Sequence, residues 1–327
     1  MNTKFLLFAD LHVDMMHDGA ARAAYMAEEA RAFGAEFAVQ LGDLMYPDTA
    51  TLEKADPKCM DMVRSVRPWA LDRDDERRSV YQAFEEAKLP LYSVLGNHDM
   101  HVCDKETACA WFGMPAPVYS VVLGGIRFVM LDTNFMMTEN GLVDMAYGNS
   151  AGIANHLLRF VPEKQLQWLE ETVMASEEVC VLCSHAPLME KRSGIQNRQA
   201  VLDVIKRCNK DKKRIVLSLN GHSHVDGMSV HGGVPFVSIN SASYHWMGAD
   251  YECIRYSEKM SRTYPRLKRT APYMGALYAL VEAKDGEIKI HGMKSRFVGK
   301  TPDELGLPRE ENDFPTTAEI ASHVITW

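Results

Sequence analysis

The chain has 327 residues, 46% of them hydrophobic and 24% charged, and carries a formal net charge of −8. These fractions are globular averages and exclude a disordered or fibrous chain, while the acidic balance argues against a general polyanion-binding surface, which needs a basic footprint. At this length either two domains or one large two-sheet unit would fit.

The opening segment, Met1 to Asp10, holds one Lys and a five-residue apolar run, Phe5 to Ala9. That run is too short for a signal-peptide core or a membrane span and reads as a first strand, with the protein expected in the cytoplasm. A helix around Ala20 to Phe33 follows, then strand Phe37 to Leu41, a helix near Ser79 to Ala87, and strand Leu91 to Leu95. Such alternation is the mark of βαβ units and a largely parallel sheet. Val118 to Leu123 and Ile126 to Leu131 then form a hairpin on Gly124-Gly125. Pro162 opens a helix with apolar Leu166, Leu169 and Val173. Strand Val179 to Cys183, helix Arg198 to Cys208 and strand Ile215 to Leu219 come next. Strands Met228 to Val230, Val234 to Ile239, Ala276 to Val281 and Glu287 to His291 complete the pattern, the last pair turning on Lys284-Asp285-Gly286.

Two sheets packed face to face with helices outside accommodate all of these elements. The main domain is expected over residues 1–300, with the tail 301–327, rich in Pro and acids, as a C-terminal surface extension. Three long segments interrupt it, at 47–78, 133–161 and 244–273, and connections of that length are usually lids or binding loops. The first mixes five Arg with many acids, and both a solvated helical excursion and a substrate role fit it. Seven cysteines are scattered at Cys59, Cys103, Cys109, Cys180, Cys183, Cys208 and Cys253. The one CxxC, Cys180 to Cys183, lies inside an apolar strand, so buried thiols in a reducing compartment are expected rather than a redox or zinc motif.

The chemistry gathers where the apolar runs end. Phe5-Leu-Leu-Phe-Ala leads into Asp10-Leu-His12, Ala38-Val-Gln-Leu into Gly42-Asp43, and Tyr92-Ser-Val-Leu into Gly96-Asn97-His98-Asp99. Downstream, Val179 to Cys183 leads into Ser184-His185, and Ile215 to Leu219 into Asn220-Gly-His222-Ser-His224. Strand carboxyl ends form the ligand crevice of open α/β sheets, so the five groups converge. Each alone is weak, although Asp-x-His and His-x-His place alternate residues on one side of an extended chain. Together they would crowd desolvated carboxylates and imidazoles, an arrangement that costs free energy unless cations neutralise it. The ligand set is oxygen and nitrogen without thiolate, which favours Mn, Fe, Co or Zn. Asp10, His12, Asp43, Asn97, His185, His222 and His224 are seven side chains, more than one open catalytic ion needs. Two ions sharing a carboxylate would use them all.

The order Asp-x-His, Gly-Asp, Gly-Asn-His-Asp, His, Gly-His-x-His resembles the calcineurin-like metallophosphoesterase superfamily, whose blocks all occur here between Asp10 and His224. The resemblance implies an α/β fold, a four-layer αββα sandwich of two mixed β-sheets flanked by helices. It also implies that Asp10, His12, Asp43 and His224 hold one ion and Asp43, Asn97, His185 and His222 the other, with Asp43 bridging. His98 would face the scissile phosphate, with Asp99 orienting its imidazole. A hydroxide between the ions would be the nucleophile, since even one zinc lowers the pKa of water to about 7. His98 would stabilise developing charge or protonate the leaving oxygen. Gly42-Asp-Leu-Met-Tyr46 also resembles the Gly-Asp-x-x-Tyr block of purple acid phosphatases, whose tyrosine binds ferric iron. Those enzymes lack a histidine at the position of His12, and Tyr46 stands either as a ligand or as a packing residue at the edge of the site.

The expected activity is hydrolysis of phosphate mono- or diesters, with a small organophosphate or nucleotide as substrate. A non-catalytic scaffold of the same fold and a nuclease are the alternatives, the latter disfavoured by the acidic balance. In the third insertion, Tyr244-His245-Trp246 precedes Arg255, Lys259, Arg262, Arg266, Lys268 and Arg269. Two readings stand for it: aromatics and cations that stack a base and hold a second phosphate, or a solvated helix beside two buried aromatics. Met100 and His101 lie just past the catalytic block and take no role.

Overall fold

The computed structural model describes residues 2–66, 68, 71, 73–307, 310–311 and 314–327. Met1, then Arg67, Trp69, Ala70 and Asp72 of the first insertion, and Pro308, Arg309, Asn312 and Asp313 of the tail lie outside the described residues. Twelve strands make two six-stranded sheets. They are β1 (Asn2–Phe8), β2 (Phe37–Gln40), β3 (Leu91–Ser93), β4 (Tyr119–Leu123), β5 (Ile126–Leu131), β6 (Val179–Ser184), β7 (Ile215–Asn220), β8 (Gly227–His231), β9 (Val234–Ser238), β10 (Ala279–Lys284), β11 (Glu287–His291) and β12 (His323–Thr326). The first sheet runs β12-β11-β10-β1-β2-β3 and the second β8-β9-β7-β6-β5-β4. Both are mixed: β1 is parallel to β2 and antiparallel to β10, and β5, β6, β7 and β9 are parallel with antiparallel β4 and β8 at the edges.

The period of two along β1 explains the layering. Phe5, Leu7 and Ala9 point between the sheets, where they meet Phe128, Met130, Val181, Cys183 and Leu217. Leu6 and Phe8 point the other way, onto Ala23, Met26, Ala27 and Ala30 of α1 (Gly19–Phe33) and onto Val80 and Phe84 of α2 (Asp74–Glu86). On the far side of the second sheet, Val129, Leu131, Cys180 and Leu182 pack on Leu166, Leu169 and Val173 of α3 (Glu163–Met174). Val201, Val204 and Ile205 of α4 (Arg198–Cys208) close the same layer. The chain is therefore a four-layer αββα sandwich, and a central strand buried on both faces reads as a continuous apolar run. α1 stops at Gly34, whose φ of 80° lets its N–H cap the last carbonyls. Pro162 stands one position earlier than expected, at the N-cap of α3.

Several features differ from the sequence expectation. The tail does not lie on the surface as an extension: β12 pairs with β11, matching Ile325 to Ile288, and Ile325, with Ile320 just before the strand, is buried in the layer between the sheets. Its four-residue alternation was masked by the Pro and acidic residues around it. A helix over Lys105–Phe112, capped by the Asp104 carboxylate on Thr107 N, was not anticipated. The first insertion folds as two helices, Thr49–Ala55 and Pro57–Val66, and leads into α2. The second holds a ribbon, Phe135–Thr138 with Gly141–Asp144. The third holds another, Tyr244–Trp246 with Thr270–Pro272, and a short helix, Glu258–Thr263. All seven cysteines are free and six are buried. Cys180 and Cys183 face opposite layers, as residues three apart on a strand must. Among the described residues no helix is long and apolar enough to cross a membrane.

Residues 324 and 325 test the tail's place in the sheet. Ile325→Ala should destabilise the protein by about 2–5 kcal/mol in urea unfolding, as truncation of a buried aliphatic side chain does. Val324→Ala, at a side chain 63% exposed, should stay within about 0.5 kcal/mol of the parent. Equal small effects would contradict the buried strand.

Candidate metal centre

The loops that follow β1, β2, β3, β6 and β7 meet, and all seven anticipated side chains come together there. Two groups of three can each hold a metal ion: Asp10, His12 and His224, and Asp43, His185 and His222. In the first, His12 Nε2 lies 3.2 Å from His224 Nε2, and Asp10 Oδ1 lies 3.4 Å from His224 Nε2 and 3.8 Å from His12 Nε2. In the second, His185 Nε2 is 3.1 Å from His222 Nδ1, 3.2 Å from Asn97 Oδ1 and 3.3 Å from Asp43 Oδ2. Asp43 Oδ2 is also 3.7 Å from His12 Nε2, so one carboxylate oxygen reaches both groups. His222 and His224 divide between them.

The tautomers suit cation binding. His185 Nδ1 donates to Leu41 O at 2.8 Å and His224 Nδ1 to Tyr244 O at 2.7 Å. A carbonyl only accepts, so Nδ1 carries a proton in each, and Nε2 is the nitrogen turned to the cluster, free to bind a cation once it gives up its own proton. Asp10 Oδ1 is buried with no hydrogen-bond donor. Burial alone would pull His185 down, but the adjacent Asp43 carboxylate outweighs it and holds the imidazole at about 9. Burial, above all, pushes His12 and His222 well down. Asp43 is held well below the carboxylate range: burial acts against this, and the His185 charge overcomes it. Imidazoles pulled in opposite directions around two dry carboxylates are the surroundings a pair of cations would neutralise, so the residues present fit a dinuclear centre.

The backbone is bent to make this arrangement. Asp10, His12, Asp43, His222 and His224 have φ of 52°, 49°, 55°, 70° and 51°, five of the eight described non-glycine residues with positive φ. Each costs on the order of 1–2 kcal/mol for an L-residue, and such strain concentrates at functional sites. Asp10 and His12 therefore do not share a direction through extended alternation, as the sequence suggested; both sit on a left-handed turn. Hydrogen bonds from Asp10 N to Gly42 O, His12 N to Asp43 O and Val13 N to Leu44 O, each 3.0 Å, lash the first loop to the second. His222 N donates to Asp10 Oδ2 at 2.9 Å. Gly221 is a glycine for a reason other than a positive φ, which it does not have. It is needed because a Cβ there would fall 2.5 Å from Asp10 Oδ2 and 2.7 Å from Ala9 Cβ. Gly96 is similar, its added Cβ falling 2.2 Å from Asp43 Oδ1.

Asp99 does something other than orient His98. Its Oδ1 accepts from Leu44 N (2.8 Å) and Met45 N (3.1 Å), and its Oδ2 from Gly96 N (2.8 Å) and Asp43 N (3.0 Å). Four N–H donors occupy the lone pairs of a fully buried carboxylate, so Asp99 pins the Asp43 loop to the Gly96 turn. Burial and then the Asp43 charge raise its pKa, and the N–H donors oppose them. His98 lines the cavity beside the cluster: its backbone N–H donates to Asp43 Oδ1 at 2.7 Å, and its ring meets His12 edge-on at 5.3 Å.

A model of the calcineurin-like phosphoesterase family matches residues 3–226. The chain belongs to that family. Its fold is similar to a dimetal phosphatase of Danio rerio, at 15% identity and a TM-score of 0.60 over 91% of this chain and 99% of the other. It is also similar to GAP50, the anchor in the inner membrane complex of Plasmodium, at 11% identity and a TM-score of 0.50 over 99% and 89% of the two chains. Among curated proteins none matches.

In this calcineurin-like chain the metal cluster floors a cavity of about 270 Å³. Its walls include Met15, Ser193, Tyr244, Trp246 and Arg266, so the third insertion reaches the site. A larger groove of about 800 Å³ at Tyr81 and Trp111 shares no lining residue with it, and the cluster, not size, marks the functional cavity. Tyr244 stacks on His12 at 5.1 Å. Of the six basic residues after Trp246, Arg266 lines the cavity, while Lys268 and Arg269 pair with Glu252 at 2.7 and 2.8 Å. The first insertion is anchored structurally: buried Arg77 holds Asp14 (2.9 Å) and Asp74 (2.8 Å), and Asp14 accepts from Tyr46 N at 2.7 Å. The Tyr46 ring belongs to the core under α1. His101 stacks on His98 at 5.3 Å, and Met100 is buried in the same core. Glu190, unanticipated, accepts from Ser223 Oγ at 2.6 Å and Ser238 Oγ at 2.5 Å and so steadies the spacer between His222 and His224. A loop carboxylate of this kind carries no periodic or strand-end signal.

Gly221→Ala should give a folded protein, judged by circular dichroism, that retains fewer than two ions per chain after loading with Mn and desalting. Full retention of two ions would contradict the close-approach role of Gly221.

Proposed function

We propose that the chain hydrolyses phosphate mono- or diesters of small molecules, nucleotides among them, at a dinuclear metal centre. The observation that carries this is the position of Asp43 Oδ2 within reach of both ligand groups, 3.3 Å from His185 Nε2 and 3.7 Å from His12 Nε2. Asp10, His12 and His224 would hold one ion, and Asn97, His185 and His222 the other, with Asp43 shared between them. When bound, such ions, from the Mn, Fe, Co or Zn group that an oxygen and nitrogen set favours, would act as Lewis acids on phosphoryl oxygens and acidify water.

The chain's own residues supply the rest. Asp99 fixes the Asp43 loop against the His98 turn, which sets where the His98 ring stands over the cavity. On this reading His98 would give a proton to a leaving oxygen or face its developing charge. A cavity of about 270 Å³ sits near the lower end of small-molecule sites, which span about 300–1,000 Å³, and this supports a compact substrate over a nucleic-acid strand. Trp246 and Arg266 offer a planar face and a cation at its wall. Seven free thiols, six of them buried, suit a reducing compartment such as the cytoplasm.

A panel of aryl monoester, aryl diester, cyclic nucleotides and nucleoside diphosphate compounds, run with Mn and with Fe, tests the reading. Asp43→Asn should abolish turnover of every member the parent hydrolyses; surviving rates would sink the shared-carboxylate assignment. Two tightly held ions with no turnover on any member would instead point to a scaffold. His98→Ala should slow esters with poor leaving groups by about 10²–10⁴-fold and good ones less, and an equal loss across leaving groups would argue against proton donation.

A further inference from the structure

Two aromatic rings are exposed among the described residues, Tyr25 at 48% and Trp246 at 39%. Tyr25 lies on α1 and meets Tyr278 edge-on at 6.2 Å. Trp246 lines the metal cavity and stacks on no other ring among the described residues. A single exposed ring is ordinary on a protein surface, and what sets this one apart is where the chain holds it.

Trp246 belongs to the ribbon that pairs Tyr244–Trp246 with Thr270–Pro272, and it stands opposite Thr270. Alternate residues of a strand share a face, so Tyr244 and Trp246 look into the cavity together, and both line it. His245, between them, is buried and points the other way. The ribbon is fastened to the metal-ligand loops. Tyr244 O accepts from His224 Nδ1 at 2.7 Å, His245 Nδ1 donates to His224 O at 2.9 Å, and Ser243 Oγ donates to Leu11 O at 2.6 Å. Tyr244 stacks on His12, which sets it at the cavity floor. Trp246 comes two residues later, about 6.5–7 Å along the strand, and its exposure puts it at the mouth. Floor and mouth are thus joined by one fixed row, and a ligand ring laid on Trp246 meets a face already held in position. A phosphate at the ligand cluster and a ring on Trp246 are separated by a spacer of several atoms. An aryl ester, its ring bonded directly to the phosphate oxygen, is too short to span them.

We propose that Trp246 is a specificity-determining residue of this cavity, the stacking face for a planar ring that a sugar-sized spacer separates from the phosphate, as in a nucleoside phosphate. This rests on the phosphoesterase reading and narrows its substrate class. Stacking tolerates any base, because every base has a π-face. The selection is therefore for a nucleoside over a ring-free or short ester, and not for one base.

Binding is read by calorimetry on the Mn-loaded full chain, with probes whose carbon–phosphorus bond leaves no ester to cleave: the methylenephosphonate analogues of adenosine monophosphate and of ribose phosphate, and benzylphosphonate. The adenosine compound should bind about 5–150-fold more tightly than the ribose compound, the range that base–aromatic stacking supplies, and benzylphosphonate should show no such gain. Trp246→Ala, compared at equal metal content, should remove the advantage and leave the affinity for the ribose compound as in the parent. Trp246→Phe should keep part of it. Equal binding of the adenosine and ribose compounds by the parent overturns the proposal, as does an advantage that survives Trp246→Ala or a gain for benzylphosphonate as large as that for adenosine. An Ala variant that weakens the adenosine and ribose compounds alike also overturns it and makes Trp246 a packing residue of the ribbon. Phosphonate binding without a gain from the base defeats this assignment alone, whereas failure of all three probes to bind the loaded parent counts against the phosphoesterase reading as well.

Discussion

A carboxylate sealed from water with imidazoles on two sides is the constraint around which this molecule is arranged. Asp43 is 2% exposed, and its two oxygens have separate tasks. Oδ2 stands between His185 and His12, while Oδ1 takes the His98 N–H. Moving this carboxylate by an ångström would separate the two ligand groups. Its loop is accordingly held by Asp99 through three of its N–H groups, by the strap to the Asp10 loop, and by the bare face of Gly96.

Holding it there has an energetic consequence. Five left-handed residues, at on the order of 1–2 kcal/mol each, together rival the net stability of a typical domain, about 5–15 kcal/mol. Two sheets with apolar residues on both faces, covered by helices, provide the burial against which that strain is held. The strands are rigid and the strain lies in the loops at their ends, where ligands belong. The insertions then work from outside: the first is fastened by Arg77, the second is tied through Arg159 to the carbonyl of Gly194, and the third supplies Tyr244, Trp246 and Arg266 to the cavity.

Much of this could be read from the residues alone. Apolar runs bounded by turn signals located the central strands, because strands buried on both faces have little sequence freedom, although some ends lie three residues away, as at Phe5 to Ala9 against Asn2–Phe8 and Ala276 to Val281 against Ala279–Lys284. The ligand candidates were readable because each follows such a run directly. What escaped depends on contacts between segments far apart in the chain. The place of Gly221 is set by Asp10, some 211 positions earlier, and no local φ preference reveals it. Asp99 looked like a partner for its neighbour His98, yet its lone pairs go to backbone N–H groups of another loop. Glu190 lies in an irregular segment without periodicity and is distinguished by its serine partners. The β12 strand was hidden by its composition, since four residues of alternation among Pro and acids are too few to register.

Anomalous diffraction from crystals of the Mn-loaded protein bears most directly on the shared carboxylate. The account predicts two ion peaks about 3.5 to 4 Å apart, with Asp43 between them, His12 and His224 on one and His185 and His222 on the other. A single peak, or two peaks with Asp43 bound to only one, would contradict it.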